Sequence, residues 1–251
     1  MSENIKNIKE NYIMKAFKVD LDSSKNQNII LKPSTRPFNN QAHQVNEVPA
    51  KIAEKIYNLI EGAKHPNDDI ILNHSEIKEA FFSPFEPQLK DAKVFLSHSH
   101  ADKNKALKVK NYLESKTNHR VFIDSLFWDY KDDVLNELAK YDNTSKIKDA
   151  FTLTLRESLQ NMIEKCPYFV FLESKNSVSN QGLSCITYSA WIYEELKIAN
   201  GLMADSALQE SRIKAMRVYH NITNLLRSFK SISLDGLCKK ISFNFITKDL
   251  E

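Results

Sequence analysis

Two places in this 251-residue chain bring together side chains able to do chemistry. The first is the run 93–102, Lys-Val-Phe-Leu-Ser-His-Ser-His-Ala-Asp, where Ser97, His98, Ser99, His100 and Asp102 follow the apolar Val94, Phe95 and Leu96. Two neutral imidazoles and a carboxylate at His-x-His-x-Asp spacing can hold zinc and activate water. The bland alternative is a set of polar turn residues after a strand. The second place is Glu195. At roughly 100° per residue, Trp191, Ile192, Leu196, Ile198 and Ala199 span one apolar arc of about 160°, with Glu195 inside it and Glu194 outside. A carboxylate on an inward face is costly unless it is paired or used.

The elements that must position these groups can be read next. Val94 to Leu96 is too short for a helix and has a helical pattern directly behind it, so it reads as a buried strand of a parallel sheet. Its polar followers then fall at the carboxyl edge, where open α/β sheets bind ligands. Ala106, Val109, Tyr112 and Leu113 mark a helix from Asp102 to about Ser115, and Arg-Val-Phe-Ile-Asp over 120–124 repeats the apolar run that ends in a carboxylate. The interval of about 27 residues suits a βαβ unit. Residues 125–133, with Phe127, Trp128 and Tyr130, read as an aromatic loop at the same edge, followed by a helical turn over 134–138. Leu155, Leu159, Met162 and Ile163 outline a helix that Pro167 ends, and 168–172 is a third strand. A long polar loop over 173–188 leads to a helix over 189–200, capped by Ser189 and stopped by Asn200 and Gly201.

The flanks are less regular. Residues 1–44, rich in Asn, Lys and Ser, read as a polar extension of low or conditional order. Residues 45–90 form a helical lead-in, with one helix from Val48 carrying Ile52, Ile56, Leu59 and Ile60 and a second from Ser75 carrying Ile77, Ala80 and Phe81. The remainder, 91–251, is the main domain. Beyond Gly201, residues 213–219 and 222–229 fit helix or strand, and 241–245 alternates as an edge strand would.

Composition excludes several function classes. With 42% hydrophobic residues the chain can bury a core, and a net charge of +3 gives no electrostatic reason to bind nucleic acid. No apolar run approaches the ~18 residues that span a bilayer, and residues 1–10 lack the core of a signal peptide, so no membrane and a cytoplasmic location are expected. Cys166, Cys185 and Cys238 are odd in number without Cys-x-x-Cys spacing, which points to reduced thiols. Four glycines, none clustered, exclude a glycine-rich phosphate cradle.

The segments Phe-Leu-Ser-His-Ser with Asp102, Val-Phe-Ile-Asp-Ser over 121–125 with Trp128, the strand 168–172, and Ser-Ala-Trp-Ile-Tyr-Glu-Glu-Leu over 189–196 together resemble the Toll/interleukin-1 receptor (TIR) domain, in particular its bacterial branch. The likeness spans about 93–200. It implies an α/β, flavodoxin-like parallel sheet flanked by helices. It further implies cleavage of NAD at the nicotinamide glycosidic bond, as in anti-phage enzymes of the Thoeris type that release an ADP-ribose-derived signal for a downstream effector. Glu195 matches the catalytic glutamate of the family's Trp-x-x-x-Glu pattern, with Trp191 one turn before it. Ser97, His98, Asp124, Ser125 and Trp128 are the further substrate-binding candidates beside Trp191. No cofactor or metal is implied, NAD being the substrate, and self-association through TIR contacts is.

Rival readings stand beside this one. Glu195 can be a salt-bridged helix residue, Ser97 and Asp124 turn caps, and Trp128 core packing. The His-x-His-x-Asp motif resembles that of metallo-β-lactamase-type hydrolases, although Lys103 stands where the next histidine belongs. Many TIR domains are non-enzymatic adaptors, and fold does not decide activity. The loop after Asp124 lacks the family's usual glycine or proline.

Overall fold

The structure is a computed structural model that describes residues 14–31, 48–62, 74–82, 92–123, 125–140, 145–181, 184–203 and 219–246. Its centre is a five-stranded sheet built from β1 (Lys15–Asp20), β2 (Ala92–Ser97), β3 (Arg120–Ile123), β4 (Tyr168–Glu173) and β8 (Lys230–Ser231). The spatial order is β3-β2-β4-β1-β8, and every pairing is parallel. Between β4 and β8 in sequence, β5 (Ser179–Gln181), β6 (Ser184–Thr187) and β7 (His220–Asn221) form a small antiparallel sheet.

Parallel strands need covered faces, because each crossover lays a helix on the sheet. Strand alternation sorts the core accordingly. Phe95, Phe122, Phe169 and Phe171 point to one face, where the Phe95 and Phe169 rings stack at 5.5 Å. That face is covered by α2 (Val48–Gly62), α3 (His74–Phe82), α5 (Ser125–Leu138), α6 (Ser145–Lys165), α7 (Ala190–Leu202) and α8 (Thr223–Arg227). Val94, Leu96, Val121, Val170 and Leu172 point to the other face, under α1 (Ser24–Ile30), α4 (Lys103–Thr117) and α9 (Leu234–Ile246). The α/β, flavodoxin-like arrangement expected from the sequence is therefore present.

The strand order locates the switch point of the sheet. From β2 the chain passes outward to β3, then returns across β2 to place β4 on its other side. The carboxyl ends of β2 and β4 thus flank the topological switch point, the place at which open α/β sheets bind ligands.

Several sequence expectations change. The supposed extension of residues 1–44 supplies β1, which lies between β4 and β8 in the sheet, with Ala16, Phe17 and Val19 buried. Six residues flanked by Asn, Lys and Ser carry too little apolar signal to be read alone, and pairing on both sides supplies what local composition lacks. The aromatic loop over 125–133 belongs to helix α5, and the polar loop over 173–188 contains the antiparallel pair β5 and β6. The edge strand expected over 241–245 is helical: Leu234, Leu237, Cys238 and Ile241 are buried at i, i+3, i+4 and i+7. Helix α7 runs through Gly201 to Leu202 and does not stop there. Its start does lie at Ser189, whose hydroxyl accepts the Ile192 N–H at 3.2 Å.

Candidate active site

Strand parity brings the two chemical stretches together. Ser97 follows Phe95 by two positions on β2, so its side chain points to the phenylalanine face, the face that α7 covers. On α7, Ile192, Leu196 and Ala199 are buried against that face, and Glu195 shares their side of the helix. The Ser97 hydroxyl donates to Glu195 Oε2 at 2.5 Å, and neither residue retains any exposed surface. Glu194 points outward instead and pairs with Arg156 at 3.1 Å, a half-exposed bridge of little energetic weight.

In the turn after β2 the polar side chains divide. His98 is buried and His100 exposed, while the carboxylate of buried Asp102 accepts hydrogen bonds from Ser174 Oγ (2.5 Å) and Asn176 Nδ2 (2.9 Å). Lys105 Nζ adds an ion pair at 3.4 Å. Among the described residues no group of three His, Cys, Asp or Glu side chains is placed to hold a metal ion. The His-x-His-x-Asp stretch is thus a turn whose carboxylate anchors a neighbouring loop.

The remaining candidates divide. Trp191 is half-buried against the phenylalanine-face core, one turn before Glu195. Ser125 opens α5, and Trp128 lies in that helix's first turn. Asp124 lies outside the described residues.

No family model matches the chain, and neither does any curated protein or solved structure. The site must be judged on its own geometry. Asn200, read from the sequence as a stop signal, is a buried strut whose amide donates to Leu225 O (3.0 Å) and Ser228 Oγ (2.7 Å), fixing α7 against α8. Tyr193 stacks on His220 with centroids 4.4 Å apart, tying the outer side of α7 to β7. Helix α7 is therefore held at Ser189, Tyr193, Asn200 and its apolar stripe, which leaves the Glu195 carboxyl little freedom to turn.

Ser174 and Asn176 escaped the sequence reading because a polar loop carries no periodicity. The one available signal was the close sequence of Ser174, Asn176 and Ser177 directly after a strand, a pattern of residues that bond local backbone. Cysteines take no part in the site. Cys166 precedes β4 at the opposite sheet edge, where burial pushes its thiol up to about 12 against a weaker lowering by Lys93 and Lys165. Cys238 is raised to about 11 by burial and by Asp235.

Among the described residues no helix is long and apolar enough to cross a membrane.

Proposed function

We propose that this protein is a TIR-type NAD glycohydrolase or cyclase in which Glu195 is the catalytic residue. The observation that carries the reading is the fully buried Glu195 carboxylate, oriented by the Ser97 hydroxyl at the carboxyl end of β2, beside the switch point of a parallel sheet. Its context matches the residues on which the TIR resemblance rests, Trp191 and Glu195 on one helix and Ser97 at the strand end.

The chemistry suits a single carboxylate. When the bond between the ribose anomeric carbon and the nicotinamide nitrogen breaks, both electrons leave with nicotinamide, which departs neutral and needs no general acid. Positive charge then develops on the ribose ring, and a fixed carboxylate in a low-dielectric setting stabilises it far better than water could. Attack by water gives ADP-ribose and one proton; attack by a hydroxyl or ring nitrogen of the same molecule gives a cyclic product. The Ser97 donor keeps Oε2 in place, so Glu195 pays no reorganisation at the moment of reaction. Such a product, or depletion of NAD itself, would serve anti-phage defence, and self-association would raise local order at the site.

The test is nicotinamide release from NAD by the purified full chain, with Glu195→Gln and with a chelator in parallel. Release that persists with chelator and disappears in the variant supports the reading. Undiminished release by Glu195→Gln, or none by wild type even at high protein concentration, overturns it, and the latter outcome favours a non-enzymatic adaptor.

A further inference from the structure

Asp102 is a buried carboxylate that the proposed chemistry does not use. Asp102 is 2% exposed and lies in the turn that leaves β2, whereas its two hydrogen-bond donors, Ser174 and Asn176, lie in the turn that leaves β4. These are the two strands that flank the switch point. We propose that Asp102 is a positioning residue: it clamps turn 174–177 as one wall of the crevice in which substrate approaches Glu195. The assignment rests on the reading of Glu195 above.

The bonding inside the turn shows why one carboxylate can set it. Ser174 Oγ, whose hydroxyl donates to Asp102, accepts the backbone N–H groups of Asn176 (3.1 Å) and Ser177 (3.2 Å). Ser177 Oγ in turn accepts the Ser174 N–H (2.8 Å) and shares its single proton between the carbonyl oxygens of Leu172 (3.2 Å) and Ser174 (3.1 Å). A hydroxyl that donates a hydrogen bond becomes a stronger acceptor itself, so the set is cooperative. The clamp also reaches the third neighbouring strand. Lys105 Nζ contacts Asp102 and, at 3.5 Å, Asp22 after β1, while Asp22 Oδ2 accepts the Lys175 N–H at 3.1 Å.

Glu195 is fixed separately, by Ser97 and by its helix. Loosening turn 174–177 therefore changes how substrate is held while leaving the reacting carboxylate in place. Loss of uniform binding raises KM without lowering kcat.

The experiment uses the full chain and NAD with Asp102→Ala, Ser174→Ala, Ser174→Thr and Glu195→Gln. Asp102→Ala and Ser174→Ala are expected to raise KM about tenfold with kcat within about twofold, and Glu195→Gln to remove kcat. Ser174→Thr keeps the hydroxyl and should restore the wild-type KM. The double variant Asp102→Ala/Ser174→Ala should be no worse than Asp102→Ala alone, which already removes the bond between them. Hydrogen exchange at the Asn176 and Ser177 amides should accelerate in Asp102→Ala and Ser174→Ala, whatever the activity. Unchanged exchange overturns the clamp. Faster exchange with unchanged KM, or a loss of kcat with KM unchanged, overturns the role as a crevice wall. Wild-type protein that releases no nicotinamide overturns the functional reading and the wall with it, and is told apart from failure of the clamp by the exchange data.

Discussion

The Ser97 hydroxyl and the Glu195 carboxylate stand 98 positions apart in the chain and meet at 2.5 Å, both without exposed surface. A buried acceptor stripped of its donor carries the cost of its own desolvation, about 1–3 kcal/mol. Ser97→Ala is therefore expected to lower unfolding free energy by about that amount in a denaturant titration. Glu195→Gln, which keeps the shape and an acceptor for Ser97, should unfold close to wild type. Nicotinamide release should fall about tenfold or more in Ser97→Ala through misorientation of the carboxylate, and be lost in Glu195→Gln. A Ser97→Ala protein as stable and as active as wild type would remove the hydrogen bond from the account.

Thiol reactivity separates the cysteines. Half-buried Cys185 should react rapidly with a disulfide reagent at pH 8, while Cys166 and Cys238 remain protonated and react only on unfolding. The raised native values also set a pH dependence. Below their ordinary value of 9.0 both thiols are protonated in folded and unfolded chains alike, and their contribution to stability is fully present. As pH rises from there towards about 11 for Cys238 and about 12 for Cys166, the unfolded chain ionises first and that contribution is lost. Cys166→Ala should flatten the upper part of that fall in a pH series of thermal melts.

Helix α4 ends at Asn118, which has φ 56°, the only positive value outside glycine among the described residues. Asn tolerates the left-handed region and glycine tolerates it better, so Asn118→Gly should be neutral to stabilising by up to about 1 kcal/mol. Asn118→Val should destabilise by about 1–2 kcal/mol, because a β-branched side chain clashes there. Both values can be taken from equilibrium unfolding, and an Asn118→Val chain as stable as wild type would contradict the left-handed cap.

Ser158 on α6 is buried, and its hydroxyl has no hydrogen-bond partner among the described residues. Ser158→Ala removes that unmet group and improves helix propensity, so a gain of about 1 kcal/mol is expected. A loss of melting temperature would show that the hydroxyl is satisfied after all.

Strand β1 pairs on both sides, and Val19 is fully buried within it. Val19→Asp should cost about 3 kcal/mol or more, and removal of residues 1–20 should abolish cooperative unfolding in calorimetry. A truncated chain with a wild-type melt would mean that the strand is dispensable.

The sequence by itself determined the elements whose signal is local. Val94 to Leu96, Val121 to Ile123 and Tyr168 to Leu172 are continuous apolar runs, and Ala106, Val109 and Leu113 recur at helical spacing, so strand and helix follow from burial period alone. The separation of Glu195 from Glu194 around one helix is of the same kind. Where local signals conflict, neighbours decide. Ile241, Phe243 and Phe245 alternate like a strand, but Leu234, Leu237 and Cys238 before them commit the segment to a helix.

Only the tertiary structure decided what each polar side chain meets. Which of Ser97, His98 and Asp102 faces Glu195 depends on which sheet face α7 covers, and that depends on the order of strands, a long-range property no window of sequence contains. The same holds for β1, made a strand by pairing with β4, residues 168–173, far along the chain. A hydrogen bond between distant residues is fixed by the packing of the elements that carry them, and periodicity can state only which way each element faces.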